Sequence, residues 1–290
     1  MNESYISYKN IAEHLPIQEG DVLVISSDIT KLIFSAKKNE EEFNAIQFIN
    51  SFINKVGQTG TILIPAYNFF LKSGQTFDIK NTLPLTGLLA TEALKHPEFK
   101  RTQNPLHSFA VWGHHQKYLC DLDNNSSFGK DSPFAFMYEQ KAKALLIHLG
   151  IHDAFTFVHY VEEQQKVPYR KMRGKKLKYI NEMRELKYKK YHLYEKLPGY
   201  VMDFHSLEKM FDDSQLIHKT SINNIQYLII PIRDTYEIIK KDILENNAKS
   251  FKYFSFMIFV KEIAKSVLYR LGLYQSISDK INNISSLSGK

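Results

Sequence analysis

The sequence predicts an α/β fold, and two observations carry that expectation. Five short apolar runs, Asp21 to Ser26, Thr61 to Pro65, Ser108 to Trp112, Lys143 to Leu149 and Tyr227 to Ile232, have the length and composition of buried strands. Between them lie segments patterned as helices, clearest at Glu41 to Lys55 and Thr86 to His96. In the first, Phe43, Ile46, Ile49, Phe52 and Ile53 recur at helical spacing. Strands alternating with helices place ligand sites in the loops beyond the strand ends. A chain of 290 residues, 43% hydrophobic and 13% aromatic, can bury a large core and is not disordered as a whole.

Taken in order, the first run follows Gly20 and ends in Ser26-Ser27, short hydroxyl residues at a strand mouth. The second follows Gly60, and the third follows a Pro-Leu-His-Ser turn that carries His107. The fourth is closed by Gly150 and followed by Thr156-Phe157-Val158-His159-Tyr160-Val161-Glu162. Thr156 reads as a helix N-cap, and His159 and Glu162, three apart, then share one helical face. Lys175 to Lys190 allows a solvated basic helix as one reading, and the chain from Asp203 onward reads as helical with one strand inserted. Phe251 to Tyr274 alternates Phe251, Phe254, Phe256, Met257 and Phe259 with Lys252, Lys261, Lys265 and Arg270, a basic amphipathic helix suited to an anionic membrane surface, a core or a subunit interface. The tail from Ser276, rich in Ser and Asn, is expected to be loosely ordered. Residues 1–248 are read as one domain and 249–290 as a helical extension with a tail.

Several classes are excluded or disfavoured. The chain has no run of about eighteen apolar residues, so no membrane span is expected. Its N-terminus lacks a basic start and an apolar stretch, and its single cysteine, Cys120, cannot form an internal disulfide, so the expected location is cytoplasmic, or peripheral at the inner membrane face. Cys120 has no adjacent base and is not read as a nucleophile. No phosphate-loop or dinucleotide-binding glycine pattern occurs, and no His/Asp/Glu group has zinc-ligand spacing, so no metal is expected. No recognisable nucleic-acid module accompanies the basic residues, so nucleic acid is not expected as a partner.

Seven segments in order carry a family resemblance. They are Gly20 to Ser27, Gly60 to Tyr67, Phe77-Asp78, Leu85 to Leu89, Arg101 to Gly113, Phe128-Gly129-Lys130-Asp131-Ser132-Pro133 and Thr156 to Glu162. Together they resemble the aminoglycoside 3-N-acetyltransferase family of coenzyme A-dependent antibiotic N-acetyltransferases, from about residue 10 to about residue 245. The resemblance implies a mixed sheet flanked by helices, acetyl-coenzyme A as co-substrate and an amino-sugar acceptor. It also implies His159 as base and Glu162 as its partner. Two positions depart from the family pattern, since Ile25 and Asn104 stand where the family usually carries His.

Acyl transfer from a thioester to an amine needs a base, donors for the developing oxyanion and a means of holding both reactants together. His159 suits the first, because an unperturbed imidazole titrates near neutrality. His107, at a strand mouth, is the second candidate, either lining the acceptor site or bonding backbone as a turn residue. Ser26, Ser27, Ser108 and Thr156 are the candidate partners of coenzyme A. From Lys166 to Lys196 twelve Lys/Arg face three Glu, a net of +9, whereas the whole chain is +7 and the remainder therefore −2. A polycationic aminoglycoside calls for carboxylates, so this segment suggests an anionic acceptor instead, an amino sugar on a nucleotide diphosphate or lipid phosphate as in surface-polysaccharide assembly. The aminoglycoside itself is the alternative acceptor, a solvated basic helix the alternative use of the charge, and a non-catalytic, partner-binding relative a further reading.

Overall fold

A computed structural model of the chain describes residues 4–270. The elements follow in the order β1 (Val22–Ser27), α1 (Thr30–Lys38), α2 (Ala45–Val56), β2 (Thr61–Pro65), β3 (Thr76–Asp78), α3 (Leu88–Lys95), β4 (Lys100–Arg101) and β5 (Phe109–Gly113). Next come α4 (Gln116–Asp121), α5 (Pro133–Glu139), β6 (Lys143–Ile147), α6 (Ile151–Ala154), α7 (Val158–Gln164), β7 (Arg170–Ile180) and β8 (Leu186–Lys196). The last are β9 (Tyr200–Met202), α8 (His205–Asp213), β10 (His218–Ile222), β11 (Ile225–Pro231), α9 (Ile232–Asn246), β12 (Lys252–Phe254) and α10 (Phe256–Arg270). All five expected strands and both expected helices are present, with ends shifted by a few residues.

The main sheet has seven strands in the order β10-β11-β6-β1-β2-β5-β4. β6, β1 and β2 run parallel, whereas β11 and β5 pair with them antiparallel. The sheet is covered on both faces, as its near-continuous apolar strands require. Alternation along each strand divides the core in two: Val22, Val24, Leu63, Val111, Ala144 and Leu146 face one helical layer, and Leu23, Ile25, Ile62, Ile64, Leu145 and Ile147 the other. The first layer draws on α5, α7, α8 and α9, the second on α1, α2 and α3.

The solvated basic helix allowed for Lys175 to Lys190 is instead a long hairpin. β7 and β8 pair antiparallel over their full length, from Arg170 opposite Lys196 to Ile180 opposite Leu186, and β3 joins β7 in parallel. The physical reason is a period of two: Leu177, Tyr179, Tyr191 and Leu193 turn inward against Phe77, Ile79 and Leu106, while Lys176, Lys178 and Lys190, on the alternate positions, turn outward. The region from Asp203 onward also holds more strand than the single insertion expected, since β10 and β12 accompany β11. α10 occupies part of the expected amphipathic segment; residues 271–274 and the Ser276 tail lie outside the described residues. Among the described residues no helix is long and apolar enough to cross a membrane.

Candidate active site

The C-terminal ends of the parallel strands β2, β1 and β6 open at one edge of the sheet, and the residues just past them meet there. The antiparallel neighbour β5 begins at the same edge, Phe109 pairing with Pro65, so the turn before it brings His107 to this edge. β6 leads through α6 into α7. Thr156 does not cap α7 as expected; Phe157 is the N-cap, and the Thr156 carbonyl accepts the His159 amide at 3.0 Å.

On α7 the spacing of three delivers what the sequence implied. His159 Nδ1 lies 2.7 Å from Glu162 Oε2, the imidazole 24% exposed and the carboxylate fully buried. A third member joins them from β7: Arg170 Nε is 2.7 Å from the same Oε2, and Arg170 Nη2 is 3.0 Å from His159 Nδ1. One nitrogen cannot both donate to Glu162 and accept from Arg170. An ionised carboxylate is the stronger acceptor, so the proton is assigned to Nδ1 facing Glu162, which leaves Nε2 as the unprotonated nitrogen. Burial alone would raise the Glu162 carboxyl, but the Arg170 charge and the His159 bond outweigh it and hold the group below its ordinary range. Burial and then the Arg170 charge lower the His159 imidazole, against the pull of Glu162. His159 is therefore neutral near pH 7. The Tyr169 phenol, buried beside Glu162, is pushed up by burial and by that carboxylate.

His159 opens onto a cavity of about 580 Å³ walled by Tyr67, His107, Phe128, Tyr194 and Pro198, with Asp153, Glu195 and Glu262 as carboxylates and Arg170 and Lys196 as cations. His107 stands in its aromatic wall, 4.8 Å from the Tyr67 ring and 4.7 Å from Phe128. Its Nδ1 is buried without a hydrogen-bond partner, and burial, followed by His159 and Lys175, lowers its pKa to about 3. Asn104, where the family pattern carries His, holds the His107 turn: its Oδ1 accepts the Leu106 and His107 amides, at 3.0 and 3.2 Å.

A second cavity, of about 530 Å³, is lined by Ser26, Ser27, Asp28, Thr30, Thr86 and Gly87 among apolar side chains from Ile25 to Leu89. Tyr67, Phe69, Asp153 and Thr156 line both cavities and mark their junction. The structure thus gathers Ser26, Ser27, Thr156, His107 and His159 around two adjoining cavities, with Glu162 buried behind His159. Ser108 lies elsewhere. It is fully buried, accepts from Arg101 Nε at 2.9 Å and donates to the Ala66 carbonyl at 2.6 Å, so its hydroxyl serves the scaffold and lines neither cavity.

Arg170, Tyr67, Asp153 and Glu262 were not singled out from the sequence. Arg170 carried a signal only as one cation among twelve. The basic segment supplies both cavity cations, Arg170 and Lys196, but most of its lysines lie away from the wall. Lys176, Lys178, Lys187 and Lys190 are exposed on the hairpin; Lys175 pairs with Glu195 at 3.2 Å, and Lys189 pairs with Asp123. Away from the cavity, His152, Asp203 and His205 bring ligand-type atoms within 4.8 Å of one another, a cluster that no spacing announced. The two imidazoles stack at 4.1 Å with planes 16° apart, so their in-plane lone pairs run side by side rather than converging on one ion.

Comparison with known proteins bears on this arrangement. The family model described as aminoglycoside 3-N-acetyltransferase matches residues 36–243. An SPbeta prophage-derived aminoglycoside N(3')-acetyltransferase-like protein, YokD of Bacillus subtilis (strain 168), is 22% identical over 233 residues, covering 72% of this chain and 82% of that protein. Among solved structures, AAC-IIIb in a binary complex with CoASH superposes with a TM-score of 0.71 at 15% identity, covering 84% of this chain and 98% of the other. Sisomicin-bound AAC-VIa superposes with a TM-score of 0.68 at 16% identity, covering 84% of this chain and 99% of the other.

Proposed function

The chain belongs to the aminoglycoside 3-N-acetyltransferase family, and from that premise we propose that it transfers an acetyl group from acetyl-coenzyme A to an amine of an aminoglycoside-type amino sugar. The observation that carries the reading is the His159–Glu162–Arg170 array, whose His159 and Arg170 line a cavity that shares Tyr67, Phe69, Asp153 and Thr156 with a second one.

The 530 Å³ cavity fits the pantetheine arm of the co-substrate. Its Ser26 and Ser27 hydroxyls suit amide groups, whereas Thr86 donates to the Pro65 carbonyl and Thr30 to the Asp28 carboxylate, and its apolar wall suits the hydrocarbon between the amides. Asp28 and Asp153 are its charged lining residues, so the phosphates of coenzyme A belong outside it. The thioester then enters at the junction beside Thr156, and the acceptor occupies the 580 Å³ cavity. His159 Nε2 removes the proton from the attacking amine. Glu162 holds the imidazole in that tautomer and stabilises the imidazolium that forms, while Arg170 keeps the buried carboxylate ionised. His107, neutral, shapes the aromatic wall.

The acceptor argument from charge changes once side-chain direction is known. Of the lysines that suggested an anionic sugar, Lys176, Lys178, Lys187 and Lys190 are exposed on the hairpin, and the cavity carries three carboxylates against two cations. Glu195 is paired with Lys175, Glu262 with Lys196 and Arg170 with Glu162, which leaves Asp153 as the lining carboxylate with no ion pair among the described residues. This balance supports a polycationic amino sugar and leaves a nucleotide-linked or lipid-linked sugar as the weaker reading. Thiol release from acetyl-coenzyme A, followed with sisomicin- and kanamycin-type aminoglycosides and with nucleotide-linked amino sugars, decides between them. Turnover with the aminoglycosides is expected. Turnover only with nucleotide sugars restores the anionic acceptor, and silence on both with coenzyme A still bound overturns the reading. His159→Ala is expected to lower kcat by about 10²–10⁴-fold while coenzyme A binding survives. The exposed arc of α10, Phe256, Val260, Ile263 and Val267 flanked by Lys261 and Lys265, is what supports peripheral contact with anionic lipid, and flotation with phosphatidylglycerol vesicles tests it.

A further inference from the structure

The family model ends inside α9, at residue 243, yet the segment beyond it reaches back to the acceptor cavity. Three contacts dock it there. β12 pairs with β9, Lys252 opposite Met202 to Phe254 opposite Tyr200. The loop between β8 and β9 makes its turn at Gly199, with φ +84°, where a Cβ would stand 2.5 Å from the Phe254 ring and 2.7 Å from Phe259 Cβ. Only glycine allows β12 and α10 to approach this closely. Finally Glu262, one turn after Phe259, accepts from Lys196 Nζ at 2.7 Å through Oε1 and from the Gly199 amide at 2.8 Å through Oε2. Glu262, Lys196 and Pro198 all line the cavity that holds His159.

The Glu262 carboxylate is not buried. Its side chain is 36% exposed and that of Lys196 37% exposed; Lys196 and the Gly199 amide each take one carboxylate oxygen, and Lys265, one turn further along α10, adds a second positive charge nearby. Burial pushes Glu262 up, but Lys196 and the Gly199 amide outweigh it, so the group is ionised at neutral pH.

We infer that the C-terminal segment completes the acceptor site, and that Glu262 on α10 is an ammonium-binding subsite for a second amino group of the acceptor, with Lys196 as the internal cation that occupies it when no acceptor is bound. This rests on the proposed amino-sugar transfer. An acceptor ammonium shares or takes over the Glu262 carboxylate, so affinity for acceptors with several amines depends on a residue outside the family match. His159 acts on one amine while Glu262 holds another, which makes Glu262 a specificity-determining residue with no part in the chemical step.

The two partners of the pair give opposite expectations. Glu262→Gln removes the anion and is expected to raise KM for a multiply aminated acceptor such as sisomicin about three- to tenfold, with kcat and the KM for acetyl-coenzyme A unchanged. Lys196→Met removes the competing cation and is expected to lower the same KM. With a singly aminated sugar such as glucosamine neither variant shifts KM. A merely structural pair that holds the rim weakens binding in both variants and for every acceptor, and that result overturns the inference. So does an unchanged KM in Glu262→Gln while the wild type turns over sisomicin. A wild type that acetylates no amino sugar instead sinks the proposed transfer, and the subsite with it.

Discussion

At the scale of single residues, catalysis depends on which atom of His159 carries the proton, which Glu162 fixes, and on how readily the imidazole charges, where burial weighs most and Arg170 next. Its guanidinium lowers His159 and, with His159, keeps Glu162 ionised despite complete burial. The acid limb of kcat/KM is therefore expected below the ordinary imidazole value of 6.5. Arg170→Gln removes the cation and lets His159 hold its proton to higher pH, so the limb moves toward alkaline pH and activity near pH 6 falls. A pH–rate profile of the variant checks this, and an unmoved limb means that Arg170 does not tune the base. The His159–Glu162 pair was legible in the sequence because i, i+3 geometry is local to a helix. Arg170, eleven residues past His159 and across a turn into a strand, was not.

At the scale of elements, the β7–β8 hairpin decides where the charge goes. Leu177, Tyr179, Tyr191 and Leu193 alternate with polar positions, which is the strand signal. The density of lysine hid it, because charge run and helical propensity favour a solvated helix at first reading. Replacing Lys176, Lys178, Lys187 and Lys190 together by Gln is expected to leave acceptor KM within about twofold, since exposed charges facing bulk water are screened; a larger rise restores the basic segment as a binding surface. The hairpin sheet is joined to the main sheet through Arg101. Its guanidinium stacks 4.7 Å from the Phe77 ring and donates to Ser108, to the Thr82 and Ala66 carbonyls and to Asn68, each at 2.9 Å or less. Arg101→Ala strands these buried acceptors and is expected to cost more than about 3 kcal/mol by denaturant melts, far more than a surface substitution.

At the scale of the whole molecule, folding excludes protons from the site. His107 takes up a proton only at about pH 3 when folded, against 6.5 for a free imidazole, so between those values the unfolded chain binds a proton that the folded one refuses. Stability then falls as pH drops through this window, by up to about 1.4 kcal/mol per pH unit for each such group. His159, also lowered, acts in the same direction, and Glu162, held below its ordinary 4.5, loses its contribution as pH falls further. His107→Phe, which fits the aromatic wall, is expected to flatten the decline of Tm between pH 6.5 and pH 4. An unchanged slope means that His107 is not held neutral by burial.

By itself the sequence determined the alternation of strands and helices, the helix carrying His159 beside Glu162, and the ordered motifs of the family, because each depends on residues within a few positions of one another. It did not show that Arg170 completes the pair, that Ser108 is consumed by Arg101, which of the hairpin lysines face outward or that Glu262 reaches the acceptor cavity. Those facts depend on contacts closed over long stretches of chain and on which way a side chain points, and neither residue type nor net charge specifies a direction. Only the packed tertiary structure decided them.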